Sequence, residues 1–173
     1  ISNNRGLDVT VKAINILKNT FPDIYMHYIG PFESEVLEDL KIDNDKNIRF
    51  YGSLPLFEGL ELSKKAKVGL SILKPIANYK ESYSTKIFEY MAIGLPVITS
   101  SFELYRDIVE KYKCGICVNP LEPKEIADAI EYIFTHPHEA EEMGRNGKNA
   151  VLEKYNWGME EKKLFKIYDE LTR

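Results

Sequence analysis

A chain of 173 residues fits one domain, since single domains commonly run to about 100–200 residues. With 44% hydrophobic and 29% charged residues, it can bury a core without disulfide or metal staples. A net charge of -4 and a pI near 5.5 exclude the basic face that a large nucleic-acid footprint needs, and give no support for an anionic membrane surface.

Apolar periodicity alternates along the chain. Helical spacing of Val9, Ala13, Ile14, Leu17 and Phe21 predicts a first helix. Short runs rich in β-branched and aromatic residues then predict strands at 24–29, 48–51, 68–73, 96–99 and 115–118. These runs are apolar throughout, as expected of a parallel sheet covered on both faces. After Val118 the pattern changes to three helices, at about 122–135, 138–154 and 159–172. Strand–helix alternation predicts an α/β, doubly wound, Rossmann-like parallel sheet with extra C-terminal helices. No apolar run reaches the roughly 18 residues of a membrane span, and no signal peptide is visible. Ile1 in place of Met leads us to expect an excised piece of a longer protein. Two cysteines alone, Cys114 and Cys117, suit a reducing cytoplasm.

Ligands of such sheets bind outside the carboxyl ends of the strands. This directs attention to the loops around Arg5, 30–31, 52–53, 74–85 and 100–104. The richest segment is Glu81-Ser-Tyr-Ser-Thr-Lys-Ile-Phe-Glu-Tyr-Met-Ala-Ile-Gly-Leu-Pro96. Ser84 or Thr85 suits an N-cap, and Phe88, Met91 and Leu95 at helical spacing face a core. Gly94 then ends the helix and Pro96 forbids its continuation. A helix dipole favours an acidic residue in the first turn, yet Lys86 stands there. Free N–H groups plus a lysine make an anion site suited to a diphosphate. Thr85 and Glu89 share a face, so Glu89 could accept hydrogen bonds from a ribose diol. The plain alternative is a solvated helix face with no role.

In order and spacing, these residues resemble the retaining, GT-B-fold glycosyltransferases of the large group 1 family (family 4). Donor-binding domains of that family carry an acidic residue, seven intervening residues and then Glu, running into Ala-x-Gly-x-Pro-Val-Ile. Glu81 and Glu89 have that spacing, and Met91-Ala-Ile-Gly-Leu-Pro-Val-Ile98 continues it. Further likenesses are Asn4-Arg-Gly-Leu-Asp8, Tyr28-Ile-Gly-Pro31, Arg49-Phe-Tyr-Gly52, Gly115-Ile-Cys-Val-Asn-Pro120 and Met143-Gly-Arg-Asn-Gly-Lys148. Where the family often has Glu-Gly-Phe-Gly, this chain has Glu81-Ser-Tyr-Ser, which removes backbone freedom near the sugar.

The resemblance implies sugar transfer from an NDP-sugar of UDP or GDP type to an acceptor hydroxyl, with retention and without a metal or other cofactor. Arg5, Lys86 and the helix start at Ser84 and Thr85 would stabilise the departing diphosphate, Glu89 would hold the ribose, and Glu81 would contact the donor sugar. Gly6 and Gly30 belong to the implied donor site. Gly52 and Ser53 would meet the base through their backbone. A second, N-terminal acceptor domain is implied, to which the final helix would return, so the fragment alone would be inactive. The Ser-Thr-Lys-Ile-Phe-Glu-Tyr-Met variant looks like members that build bacterial surface polysaccharides, with a cytoplasmic location, peripheral to the membrane if the second domain binds it.

Other features are weaker. Cys114-Gly-Ile-Cys117 lies in a predicted strand, without the partners a zinc site needs. His136-Pro-His138 reads as a polar connector, and His27 as a packed or surface histidine. Tyr79 and Tyr83 could stack on sugar or base, or be structural. Neither G-x-G-x-x-G nor a P-loop occurs, which disfavours an NAD-binding oxidoreductase domain. An NDP-sugar epimerase of the same fold and a non-catalytic nucleotide-binding domain stay open as alternatives.

Overall fold

The computed structural model describes all residues except 33–39, 41, 43, 44, 172 and 173; the last position of the expected final helix therefore lies outside the described residues. Asn3–Arg5 forms a 3-10 turn, followed by α1 (Leu7–Leu17), β1 (Met26–Tyr28), β2 (Ile48–Phe50), α2 (Leu56–Ser63) and β3 (Gly69–Ser71). Next come α3 (Ala77–Lys80), α4 (Thr85–Ala92), β4 (Val97–Ser100), α5 (Glu103–Val109) and β5 (Gly115–Val118). Three helices close the chain: α6 (Pro123–Thr135), α7 (Pro137–Glu153) and α8 (Trp157–Leu171).

Among the described residues every strand pairing is parallel, in two blocks: β1 with β2, and β3–β4–β5. The expected doubly wound α/β architecture is present, with its ladder divided between β1 and β3. In β4 the pleat sends successive side chains to opposite faces. Ile98 joins α1 and α6 residues such as Leu7, Ile14, Ile126 and Ile130. Val97 joins Ile87 and Met91 of α4, Tyr105 and Ile108 of α5, and Ala150 of α7. All four β4 residues are buried, so helices cover both faces.

On α4 and just past its end, Phe88, Met91 and Leu95 face the core as expected, with Ile87 buried beside them. Two expectations are revised. Phe21 lies beyond the end of α1. The 136–138 segment is no separate connector: His136 stops α6 and caps α7, and Pro137 takes the first helical position, where a missing N–H costs nothing.

The helix α4 ends as its sequence requires. Gly94 has φ 77°, the left-handed conformation glycine adopts freely, and its N–H donates to the Met91 carbonyl at 3.0 Å. Gly144 of α7 packs against that turn. A Cβ at position 144 would lie 2.1 Å from the Gly94 carbonyl oxygen. Alanine at an open helical site is worth about 1 kcal/mol over glycine. Here, Gly144→Ala is expected to destabilise by about 1–3 kcal/mol through overpacking, read from the urea midpoint. An unchanged or raised midpoint would show that α7 does not rest on the Gly94 turn.

Candidate functional site

A cleft of about 870 Å³ runs between β1 and β3: Gly30, Ile72 and Leu73 line it at the carboxyl ends of the strands, and Asp23, Tyr25 and Lys67 line it before them. Among the expected site residues, Arg5, Gly30, Ser84, Thr85 and Lys86 line it; Gly6, Gly52, Ser53, Glu81 and Glu89 do not. Tyr79 and Tyr83 also line it.

Arg5 reaches the cleft because of the residue after it. Gly6 has φ 75° and lies so close to β3 that a Cβ would meet the Ile72 carbonyl oxygen at 2.8 Å. Both the conformation and the contact require glycine. Tyr28 and Thr10 brace this turn: their hydroxyl oxygens are 2.7 Å apart, and Thr10 Oγ1 donates to the Gly6 carbonyl at 2.7 Å. Burial pushes the Tyr28 phenol far up, keeping it a neutral hydrogen-bonding group. Gly30 and Gly52 form one strand-end junction, with the Gly30 N–H donating to the Gly52 carbonyl at 2.7 Å.

At the start of α4 the N-cap is Ser84, without a capping bond from its side chain. Its hydroxyl lies instead 2.9 Å from that of Ser71, which is fully buried at the end of β3. The Ser84 carbonyl accepts from the Ile87 N–H at 3.1 Å. The N–H groups of Thr85 and Lys86 have no acceptor among the described residues. These are two of the orphan donors that a helix start presents, and here they border the cleft.

Lys86 is half-buried. Its pKa is lowered first by burial and then by the positive charge of Arg5, with Glu89 acting in opposition. Neither Arg5 nor Lys86 has a carboxylate within 4 Å among the described residues. A plain solvated face would leave lysine fully hydrated or paired along the helix. The geometry instead brings together two cations, neither in an ion pair among the described residues, at a helix start without a side-chain cap. Glu89 stands one turn along, half-buried and close enough to affect Lys86. Glu81 is exposed where the short helix α3 ends.

Of the set-aside features, His27 lines the cleft, whereas Cys114, Cys117, His136 and His138 do not. Cys114 and Cys117 are free, and burial pushes their thiols up to about 11 and about 12. They are therefore protonated at neutral pH, unlike a redox dithiol. His136 stacks on Tyr132 with ring centroids 4.1 Å apart. His27 is exposed on β1, its pKa lowered by partial burial and then by Arg49. Among the described residues no cluster of three or more His, Cys, Asp and Glu could hold a metal ion. Sequence reasoning missed Ser71, Thr10, Tyr28 and Lys74, whose polar side chains brace the cation-bearing turns. Their only signal was polarity within or beside apolar strands and helices.

A parallel sheet covered by helices on both faces, with cations and a helix start bordering its cleft, is the α/β domain whose relatives are known. The chain belongs to the glycosyl transferases group 1 family, whose model matches residues 1–150. It is 23% identical over 145 residues to the D-rhamnosyltransferase WbpZ of Pseudomonas aeruginosa, covering 83% of this chain and 36% of that protein. A phosphatidyl-myo-inositol mannosyltransferase of Mycobacterium leprae is 22% identical, over 97% of this chain and 44% of its own length. The chain thus spans less than half the length of these relatives. Among solved structures, Anabaena HepE in complex with UDP-glucose superposes with a TM-score of 0.83 at 14% identity, over 98% of this chain and 46% of HepE. Such likenesses establish the fold: one half of a GT-B glycosyltransferase architecture.

Confinement of Lys86 has a measurable consequence. Because its folded pKa lies below the ordinary 10.5, its charge opposes folding at neutral pH. That cost is relieved as pH rises through the folded value towards 10.5. Lys86→Met is expected to be more stable than the parent chain at pH 7, with the difference shrinking as pH approaches 10.5. A variant that is no more stable at pH 7, measured by urea unfolding, would contradict the confinement.

Proposed function

We propose that this chain is the donor-binding half of a retaining glycosyltransferase and holds the diphosphate of an NDP-sugar at the start of α4. The observation that carries this reading is the pair Arg5 and Lys86, without an ion-pair partner among the described residues and beside the unbonded N–H groups of Thr85 and Lys86. Helix starts bind phosphate through such N–H groups. Departure of the diphosphate concentrates negative charge on its oxygens, and preorganised donors aimed there lower the barrier. Arg5, Lys86 and the two amides do this, with no metal required. Glu89 takes the ribose hydroxyls, and Gly30, Gly52 and Ser53 lie towards the base. Glu81, exposed outside the cleft lining in this conformation, meets the sugar when the cleft closes.

The acceptor half lies in a second domain. Support comes from α8, which buries none of its residues while Trp157, Leu164, Phe165, Ile167 and Leu171 are exposed. Such a face is suited to packing against another domain. The names of the relatives WbpZ and the mannosyltransferase and the UDP-glucose held by HepE fit a hexosyl transfer in bacterial surface-glycan assembly.

Calorimetric titration with UDP, GDP and ADP tests the donor half. Arg5→Ala and Lys86→Ala are each expected to weaken binding of the preferred nucleotide about tenfold to a hundredfold, the worth of a charge-assisted hydrogen bond. Unchanged affinity in both variants would remove the proposal, as would binding of none of the three by the parent chain. The 173-residue chain is further expected to transfer no sugar; detected transfer would overturn the two-domain requirement.

A further inference from the structure

Lys74, which follows β3, makes two bonds to the turn that carries Arg5. Its backbone N–H donates to the Asn4 carbonyl at 3.0 Å, and its Nζ donates to Asp8 Oδ2 at 2.8 Å. The paired side chains are only 24% and 21% exposed. Asn4 and Asp8 straddle Arg5, Gly6 and Leu7, so one lysine clamps both sides of the turn. Lys74 itself does not line the cleft.

The other oxygen of Asp8 adds a constraint. Oδ1 is buried without a hydrogen-bond partner among the described residues, although a carboxylate accepts several bonds. Three residues from Arg5, a carboxylate with spare capacity is a competitor for the guanidinium, which pairs with carboxylates in bidentate fashion. Arg5 nevertheless has no carboxylate within 4 Å. Asp8 is also in the first turn of α1, where the helix dipole favours it, so two influences compensate its charge and neither uses Arg5.

We propose that Lys74 is a positioning residue for the diphosphate site: by occupying Asp8 it keeps Arg5 free and beside Lys86. This inference rests on the donor-binding reading above. Lys74 acts through Asp8 and Arg5, without touching the ligand. Removing its ammonium leaves a largely buried carboxylate uncompensated, and Arg5, three residues away, turns to it and away from the cleft.

The test is a set of calorimetric titrations of the 173-residue chain with UDP, GDP and inorganic pyrophosphate, which carries the diphosphate charge without base or sugar. Lys74→Met is expected to weaken binding about tenfold, the effect of losing one cation from the site, while Lys74→Arg retains it. Adding Asp8→Asn to Lys74→Met restores the affinity, and Arg5→Ala with Lys74→Met binds no more weakly than Arg5→Ala alone. Parent-level binding by Lys74→Met would overturn the inference. So would a loss that persists in the Asp8→Asn background, or one that adds in full to that of Arg5→Ala. Should Lys74→Met fail to fold, Asp8→Asn alone decides, because it must bind pyrophosphate at least as tightly as the parent chain. If the parent binds neither nucleotide nor pyrophosphate, the donor-binding reading itself has failed.

Discussion

Two positive charges held together without an ion-pair partner are unfavourable, and the arrangement of this domain centres on keeping Arg5 and Lys86 in that state. Arg5 arrives on a turn that only glycine permits, pressed against the backbone at Ile72. Lys86 arrives on the first turn of α4, partly stripped of water. On the donor-binding reading proposed above, an anion placed between them relieves the repulsion, replaces the lysine's lost hydration and accepts from the open N–H groups. On that reading the free chain carries a cost that the ligand removes, which ties affinity to preorganisation rather than to added contacts.

Small buried hydroxyls maintain that preorganisation. Ser100 both accepts from the Leu73 N–H and donates to the Leu73 carbonyl. Thr99 donates to the Ser71 carbonyl, and Ser71 holds the Ser84 hydroxyl. On the opposite side Tyr28 and Thr10 secure the Gly6 carbonyl. Buried polar groups are tolerated only when bonded, so these side chains fix the strand ends in one arrangement. Rigid strand ends then hold the two cation-bearing turns to a narrow range of positions.

Much of the architecture was legible from periodicity. Continuous apolar runs located each strand to within two residues at either end, and Gly94 with Pro96 located the end of α4, because these signals act locally. Lys86 was legible because it breaks the dipole rule at a helix start, Glu89 because it shares a face with Thr85, and Arg5 through the family resemblance. What stayed hidden depends on partners distant in sequence. Ser84 looks like a cap until Ser71, thirteen residues earlier, draws its hydroxyl away. Lys74 and Asp8 are sixty-six residues apart, and no local pattern pairs them. The division of the sheet between β1 and β3 likewise lies in backbone pairing, to which side-chain periodicity is blind.

Amide hydrogen exchange tests the central claim most directly, because it reads the individual N–H groups at the start of α4. With the preferred nucleotide among UDP, GDP and ADP bound, the Thr85 and Lys86 amides are predicted to slow markedly relative to the free chain, and pyrophosphate is predicted to slow the same two. Unchanged exchange at both positions, with protection confined to other loops, would place the diphosphate elsewhere and contradict the account.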